Sequence, residues 1–273
     1  MGSPDFGIPS LAYLYQRSDI KLIGIMTQPD KKKGRGKILS PTPIKQWSID
    51  HGIPVSCPTT KEDLVIQLNQ WNPTLIIVIA YGMILPKIVT DSYHCINAHA
   101  SLLPKYRGAS PIQAVLLHNE KETGITLIKM NDKMDEGDIV FSQSMLIKQT
   151  DNFKTIHDQL SRLSVDALDH YLNNPQNGFP QNHQKASYCQ KLTTKDRQLN
   201  PTDTIEEKYA KIRAFSPQPG AFFVQNTQSI KILDAHFKNN QLIPIQVQPE
   251  GKKQMTYDDY LRGGYPKLCL ENE

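Results

Sequence analysis

The 273 residues contain no long hydrophobic run. The longest, LIIVIA at 75–80, falls far short of the roughly 20 apolar residues that cross a bilayer, so no membrane helix is expected. No basic segment precedes an apolar run at the N-terminus, so no signal peptide is expected, and the chain reads as soluble. Cysteine is scarce. The four residues, Cys57, Cys95, Cys189 and Cys269, are widely spaced and form no C-x-x-C pair. That excludes the usual patterns of a disulfide framework or a cysteine metal site and favours reduced thiols in the cytoplasm. An excess of one charge is also lacking: 31 Lys and Arg against 27 Asp and Glu give a net +4, too little to identify a polyanionic partner. With 38% hydrophobic and 21% charged residues the composition is globular, and the length suits more than one domain. No internal repeat is found.

Positive charge is concentrated where it is present. KKKGRGK at 31–37 places five cations and two glycines in seven positions. Around it the first half of the chain alternates helical and strand patterns. Ile8, Leu11, Leu14 and Tyr15 have helical spacing, with Pro9 in the first turn, where its missing N–H does little harm. IKLIGIMT at 20–27 reads as a buried strand. Helices are expected around 44–49 and 61–71, then a parallel strand at LIIVIA, apolar throughout because both faces would be covered. CINAHA at 95–100 is a further strand and PIQAVLLH at 111–118 a helix, followed by strands at 124–130 and 138–146. Such alternation means an open α/β sheet.

Residues 152–172 form an amphipathic helix, with Phe153, Ile156, Leu160, Leu163, Ala167 and Tyr171 on one face and Asp151 placed to cap it. Composition then changes: NNPQNGFPQNHQ at 173–184 has little to bury and reads as a linker. Beyond it, AFFVQ, SIKILDA and LIPIQVQ are candidate strands, broken at Asn226, Asn239 and Asn240.

INAHASLLP at 96–104 carries the chemistry. Asn97 and His99 lie two apart on a strand and share a face, at the strand end where α/β sheets bind ligands. A side-chain amide can donate to an oxygen gaining negative charge, and an imidazole can move a proton near neutral pH. The pair suits attack on a carbonyl. It lacks a carboxylate to orient and charge the ring, and MNDKMDEGD at 130–138 offers four: Asp132, Asp135, Glu136 and Asp138. Taken singly, each motif has an ordinary reading. An N-x-H on a strand can be incidental, and basic and acidic loops are commonly just solvated.

Together the motifs are more specific. Asn97-x-His99-x-Ser101-Leu102-Leu103-Pro104, continuing Lys105-Tyr106-Arg107-Gly108, with Met134-Asp135-Glu136-Gly137-Asp138, resembles the signature of the folate-dependent formyltransferases. GSPDF at 2–6, TQPDKKKGRGK at 27–37, AYGMILPK at 80–87, RAFSPQPGAFF at 213–223 and VQPEGKKQM at 247–255 extend the resemblance along the chain. The basic loop and the last motif are similar to the tRNA-acting branch. The resemblance implies a Rossmann-like formyltransferase domain at 1–172, a linker at 173–187 and a smaller OB-like β-barrel at 188–273 that holds tRNA. It implies 10-formyltetrahydrofolate as formyl donor, the α-amine of methionyl-initiator tRNA as acceptor, no metal and a monomer. Asn97 and His99 would stabilise the oxyanion of a tetrahedral intermediate, His99 would protonate the departing nitrogen, and Asp135 matches the family aspartate. Ile84, Leu85, Ser101, Leu102, Leu103, Pro104, Met130 and Met134 match positions around the folate, although from the sequence alone Ile84 and Leu85 read better as ordinary core. Lys33, Arg35 and Lys37 match the tRNA-contact loop.

Two departures from the family pattern are evident. An apolar strand expected just before GSPDF is missing, which should leave apolar surface and ladder groups uncovered. Fewer strands than usual lie between SIKILDA and VQPEGKK, so the barrel is expected to be incomplete. The alternatives at this point are another folate-dependent amine formyltransferase and an inert remnant that binds RNA or folate.

Overall fold

A computed structural model describes residues 1–33, 36, 38–239 and 241–270. The chain divides into two compact units. The first comprises Met1–Arg107, Gly124–Ser144 and Asp158–Tyr188; the second comprises Gly108–Thr123, Met145–His157 and the chain from Cys189 on.

In the first unit, helices start where the sequence supplies a cap. The Thr42 hydroxyl accepts from the Lys45 N–H ahead of the Pro43–Asp50 helix. Thr60 and Asp63 form a reciprocal capping box at the start of Lys61–Trp71, and Asn72 ends that helix in the left-handed conformation. That helix buries Leu64 and Leu68 beside Val78, Tyr81, Leu85, Val89 and Cys95. Each buried leucine contributes roughly 1.5–3 kcal/mol. The main sheet has the order Ile76–Val78, Cys95–His99, Glu122–Lys129, Asp138–Leu146. Its first pair is parallel and the second antiparallel, so the sheet is mixed.

The strand expected over 20–27 shrinks to Ile25–Met26, paired in parallel with Val55–Ser56. Composition alone does not make a strand; a ladder partner is required. Residues 20–24 instead line a cavity of about 550 Å³ whose other walls include Trp71, Ile77 and Ile79. Met1 and Gly2 lie between the two sheet pieces: the Gly2 N–H donates to the Met26 carbonyl at 3.1 Å, and the Ile79 N–H donates to the Met1 carbonyl at 2.9 Å.

In the long Phe153–Asn173 helix, Asn152 rather than the expected Asp151 supplies the cap. Its side-chain oxygen accepts from the Thr155 N–H at 3.1 Å, and its own N–H donates to the Thr155 hydroxyl at 2.9 Å. The Asp151 carboxylate closes the preceding turn by accepting from the Lys148 N–H at 2.8 Å.

In the second unit, Ala221–Gln225, Gln228–Lys238, Gln241–Pro249 and Met255–Thr256 form a four-stranded antiparallel sheet. Asn226 and Thr227, with φ of 49° and 65°, make its first two-residue turn, and Asn239 is left-handed at 52°. Asn240 lies outside the described residues. The Ile205–Phe215 helix, boxed by Thr204 and Glu207, covers the sheet over Tyr209, Ile212, Ala221, Ile230, Ile232 and Val247. The sheet does not close into a barrel among the described residues, as its short strand complement led one to expect. No described helix is long and apolar enough to cross a membrane.

The expected basic loop is a hairpin at its base: Lys31–Lys33 pairs antiparallel with Ile38–Ser40. Lys31 and Lys32 are exposed there. The Lys33 side chain, Arg35 and Lys37 fall outside the described residues.

Candidate active site

The Cys95–His99 strand is buried along its whole length, with a neighbour on each side, so its alternation is fixed by the sheet. Asn97 and His99 point to one face, 9% and 6% exposed. Of the four acids in the 130–138 loop, Asp135 faces both. Asn97 Nδ2 donates to Asp135 Oδ1 at 3.3 Å, and His99 Nδ1 lies 3.6 Å from Asp135 Oδ2. Asp135 sits at φ 54°, a left-handed conformation that aspartate tolerates better than most residues. Asp132 and Asp138 are exposed. Glu136 turns to Arg107, whose Nη1 lies 3.2 Å from its carboxylate.

The histidine's tautomer follows from its second contact. His99 Nε2 is 2.8 Å from the Tyr106 carbonyl oxygen. A carbonyl only accepts, so Nε2 carries a hydrogen whether the ring is neutral or charged. Proton exchange is therefore confined to Nδ1, the nitrogen beside Asp135.

The turn that supplies Tyr106 is held by groups not evident from the sequence. Thr126, fully buried on the adjacent strand, donates its hydroxyl to the Ser101 carbonyl at 2.7 Å and accepts from the Leu103 N–H at 3.1 Å. The Ser101 hydroxyl donates to the Lys105 carbonyl at 2.6 Å. The Tyr106 N–H donates to the Ser187 hydroxyl at 2.9 Å, and the Arg107 N–H to the Ser187 carbonyl at 2.9 Å. Ser187 belongs to the segment expected as a linker. Arg107 is completely buried, and its guanidinium contacts Gln181, Tyr188 and His183 as well as Glu136. The KYRG motif drew attention to this arginine, but nothing in it signalled burial against residues more than 70 positions away.

The apolar candidates separate. Leu85 is 2% exposed and lies in the core with Val78 and Val89, and Met130 packs partly buried against that cluster. Leu103 packs with Ile128 and Ile139. Ile84 and Met134 are about half exposed, at 53% and 49%, and are available to a flat ligand. Leu102 and Pro104 are half-buried in the turn.

Residues 9–172 match the formyl transferase family, and residues 191–242 match the family's C-terminal domain. Methionyl-tRNA formyltransferase of Bacillus subtilis (strain 168) is 36% identical to this chain, the alignment covering 97% of it and 94% of the relative. Among solved structures, methionyl-tRNA formyltransferase from Clostridium thermocellum aligns with a TM-score of 0.61 at 23% identity, over 75% of this chain and 91% of that one. An N-formyltransferase from Helicobacter canadensis, solved with folinic acid and dTDP-3-aminofucose, aligns with a TM-score of 0.67 at 19% identity, over 93% and 96%. At those identities the solved structures speak for the fold. With both of its domains matched and near full-length similarity above 30%, the chain belongs to the formyl transferase family, on the branch of the methionyl-tRNA formyltransferases.

Proposed function

We propose that the chain transfers the formyl group of 10-formyltetrahydrofolate to the α-amine of methionyl-initiator tRNA, for translation initiation. The observation that carries this reading is the convergence of Asn97, His99 and Asp135 at one strand end, in a chain so similar to methionyl-tRNA formyltransferases. Amide and imidazole in that arrangement fit a formyl donor, and the half-exposed Ile84 and Met134 offer apolar surface to a pterin ring.

Bound 10-formyltetrahydrofolate supplies the formyl carbon: the amine forms a bond to it, the bond to the folate nitrogen breaks, and the amine's proton ends on that nitrogen. Asn97 gives one N–H to Asp135 and directs the other to the oxygen that gains charge during attack. His99, with Nε2–H tied to Tyr106, takes and returns the proton at Nδ1. The Asp135 carboxylate faces Nδ1 and orients the ring. Ser101, Leu102, Leu103 and Pro104 shape the turn below the reacting groups.

The basic hairpin, with Lys33, Arg35 and Lys37, meets the acceptor end of the tRNA, where its cations offset phosphate charge. In this reading residues 1–172 carry the chemistry and residues 188–273 hold tRNA. The enzyme works as a cytoplasmic monomer. The test is formylation of a panel of amines by purified protein: methionyl-initiator tRNA, methionyl-elongator tRNA and a dTDP-amino sugar. Product on the initiator tRNA is expected. Product only on the amino sugar, or none at all, overturns the proposal.

A further inference from the structure

Gln181 lies in the amide-rich stretch that composition assigns to a linker, yet it is 5% exposed. Every hydrogen-bonding position of its side chain is used. Nε2 donates one hydrogen to the Asp135 carbonyl at 2.8 Å and the other to the Gly137 carbonyl at 2.7 Å. Oε1 accepts from Arg107 Nε at 3.1 Å and from Nη2 at 2.8 Å. The amide thus spans the backbone on both sides of Glu136. Glu136 is fixed in turn: its carboxylate accepts from the Tyr188 hydroxyl at 3.1 Å and pairs with Arg107 Nη1.

The far side of the loop is equally tight. A Cβ at Gly137 would stand 1.9 Å from the Lys129 carbonyl oxygen, so the backbone presses directly on the end of the neighbouring strand. Gln181 itself is anchored by Phe179, which exchanges two backbone hydrogen bonds with Ile139, at 2.9 and 3.0 Å. Asp135, at φ 54°, is thus held in a left-handed conformation by a bond to its own carbonyl and another to that of Gly137.

We infer that Gln181 is a positioning residue for the formyl transfer: it sets the backbone from which Asp135 reaches Asn97 and His99, and it does so on the buried guanidinium of Arg107. This rests on the reading of Asn97, His99 and Asp135 given above. Contacts of 3.3 and 3.6 Å leave little tolerance. A loop displaced by about 1 Å loses on the order of a hundredfold in rate, whereas tRNA meets other groups.

Two substitutions separate the donors from the rest of the side chain. Gln181→Met keeps the length and removes all four bonds. Gln181→Glu keeps an acceptor for Arg107 and turns the loop-facing end from donor to acceptor, against two carbonyls. Each is expected to lower kcat about a hundredfold, with KM for tRNA within about twofold. In an Asp135→Asn background, Gln181→Met is expected to cause less than a threefold further loss, because the group it positions is already gone. An equal hundredfold loss in that background, or kcat within threefold of wild type in either single variant, overturns the inference. Should Gln181→Met fail to fold, Gln181→Glu is read by the same criteria. A wild-type protein without formylating activity refutes the functional reading instead, so the two failures are distinct.

Discussion

Replacing Asp135 by asparagine removes a charge and almost nothing else. The new side chain keeps the shape and an oxygen that can accept from Asn97 Nδ2, as Asp135 Oδ1 does at 3.3 Å. What disappears is the attraction between the carboxylate and His99 when the ring takes up a proton at Nδ1, 3.6 Å away. Both side chains are shielded from water, at only 7% and 14% exposed. A positioned acid–base group contributes roughly a hundred- to ten-thousandfold to rate, so loss of the carboxylate that holds the ring is expected to lower kcat by about three powers of ten. The assay is steady-state formylation of methionyl-initiator tRNA, with thermal unfolding of the variant as control. Folded Asp135→Asn protein with kcat within tenfold of wild type would refute the assignment of Asp135.

Other consequences can be checked separately. Arg35→Ala should raise KM for tRNA and lower the slope of log affinity against log salt by about one, leaving KM for folate unchanged; an unchanged salt slope places the tRNA elsewhere. Thr126→Val strands the Ser101 carbonyl and Leu103 N–H in the interior. It should destabilise the protein by roughly 1–3 kcal/mol for each group in urea denaturation, and a loss below about 0.5 kcal/mol would contradict that bonding. Burial pushes the Cys95 thiol from 9.0 up to about 11. Because this acid is weaker in the folded chain, burial of the neutral thiol stabilises below pH 9, and that contribution fades between pH 9 and 11. At pH 8 a thiol reagent should label exposed Cys269 at once and Cys95 only as the protein unfolds; rapid labelling of both refutes the burial.

Much of the site was legible in the sequence because its geometry is local. Two residues two apart on a strand must share a face, so Asn97 and His99 announce themselves. Asp135 does not, since the loop offers four acids and chemistry alone treats them alike. The structure distinguishes them by a left-handed residue and by Arg107, which claims Glu136. Gln181 was hidden for a related reason. A side chain buried by hydrogen bonds leaves no hydrophobic signature, and an amide-rich stretch reads as solvated linker. Strand 20–27 shows the opposite error: apolar composition was present, but no neighbouring strand completed the ladder for residues 20–24. The helix cap shifted from Asp151 to Asn152 because both residue types can cap and the preceding turn uses the first.

The most direct test is a double-mutant cycle on kcat for formylation with Asn97→Ala, Asp135→Asn and the pair together. If amide, imidazole and carboxylate act as one unit, the double variant should be little worse than the poorer single variant, since groups that work together fail together. Losses that simply multiply would mean that positions 97 and 135 act independently, and the arrangement described here would not be the catalytic centre.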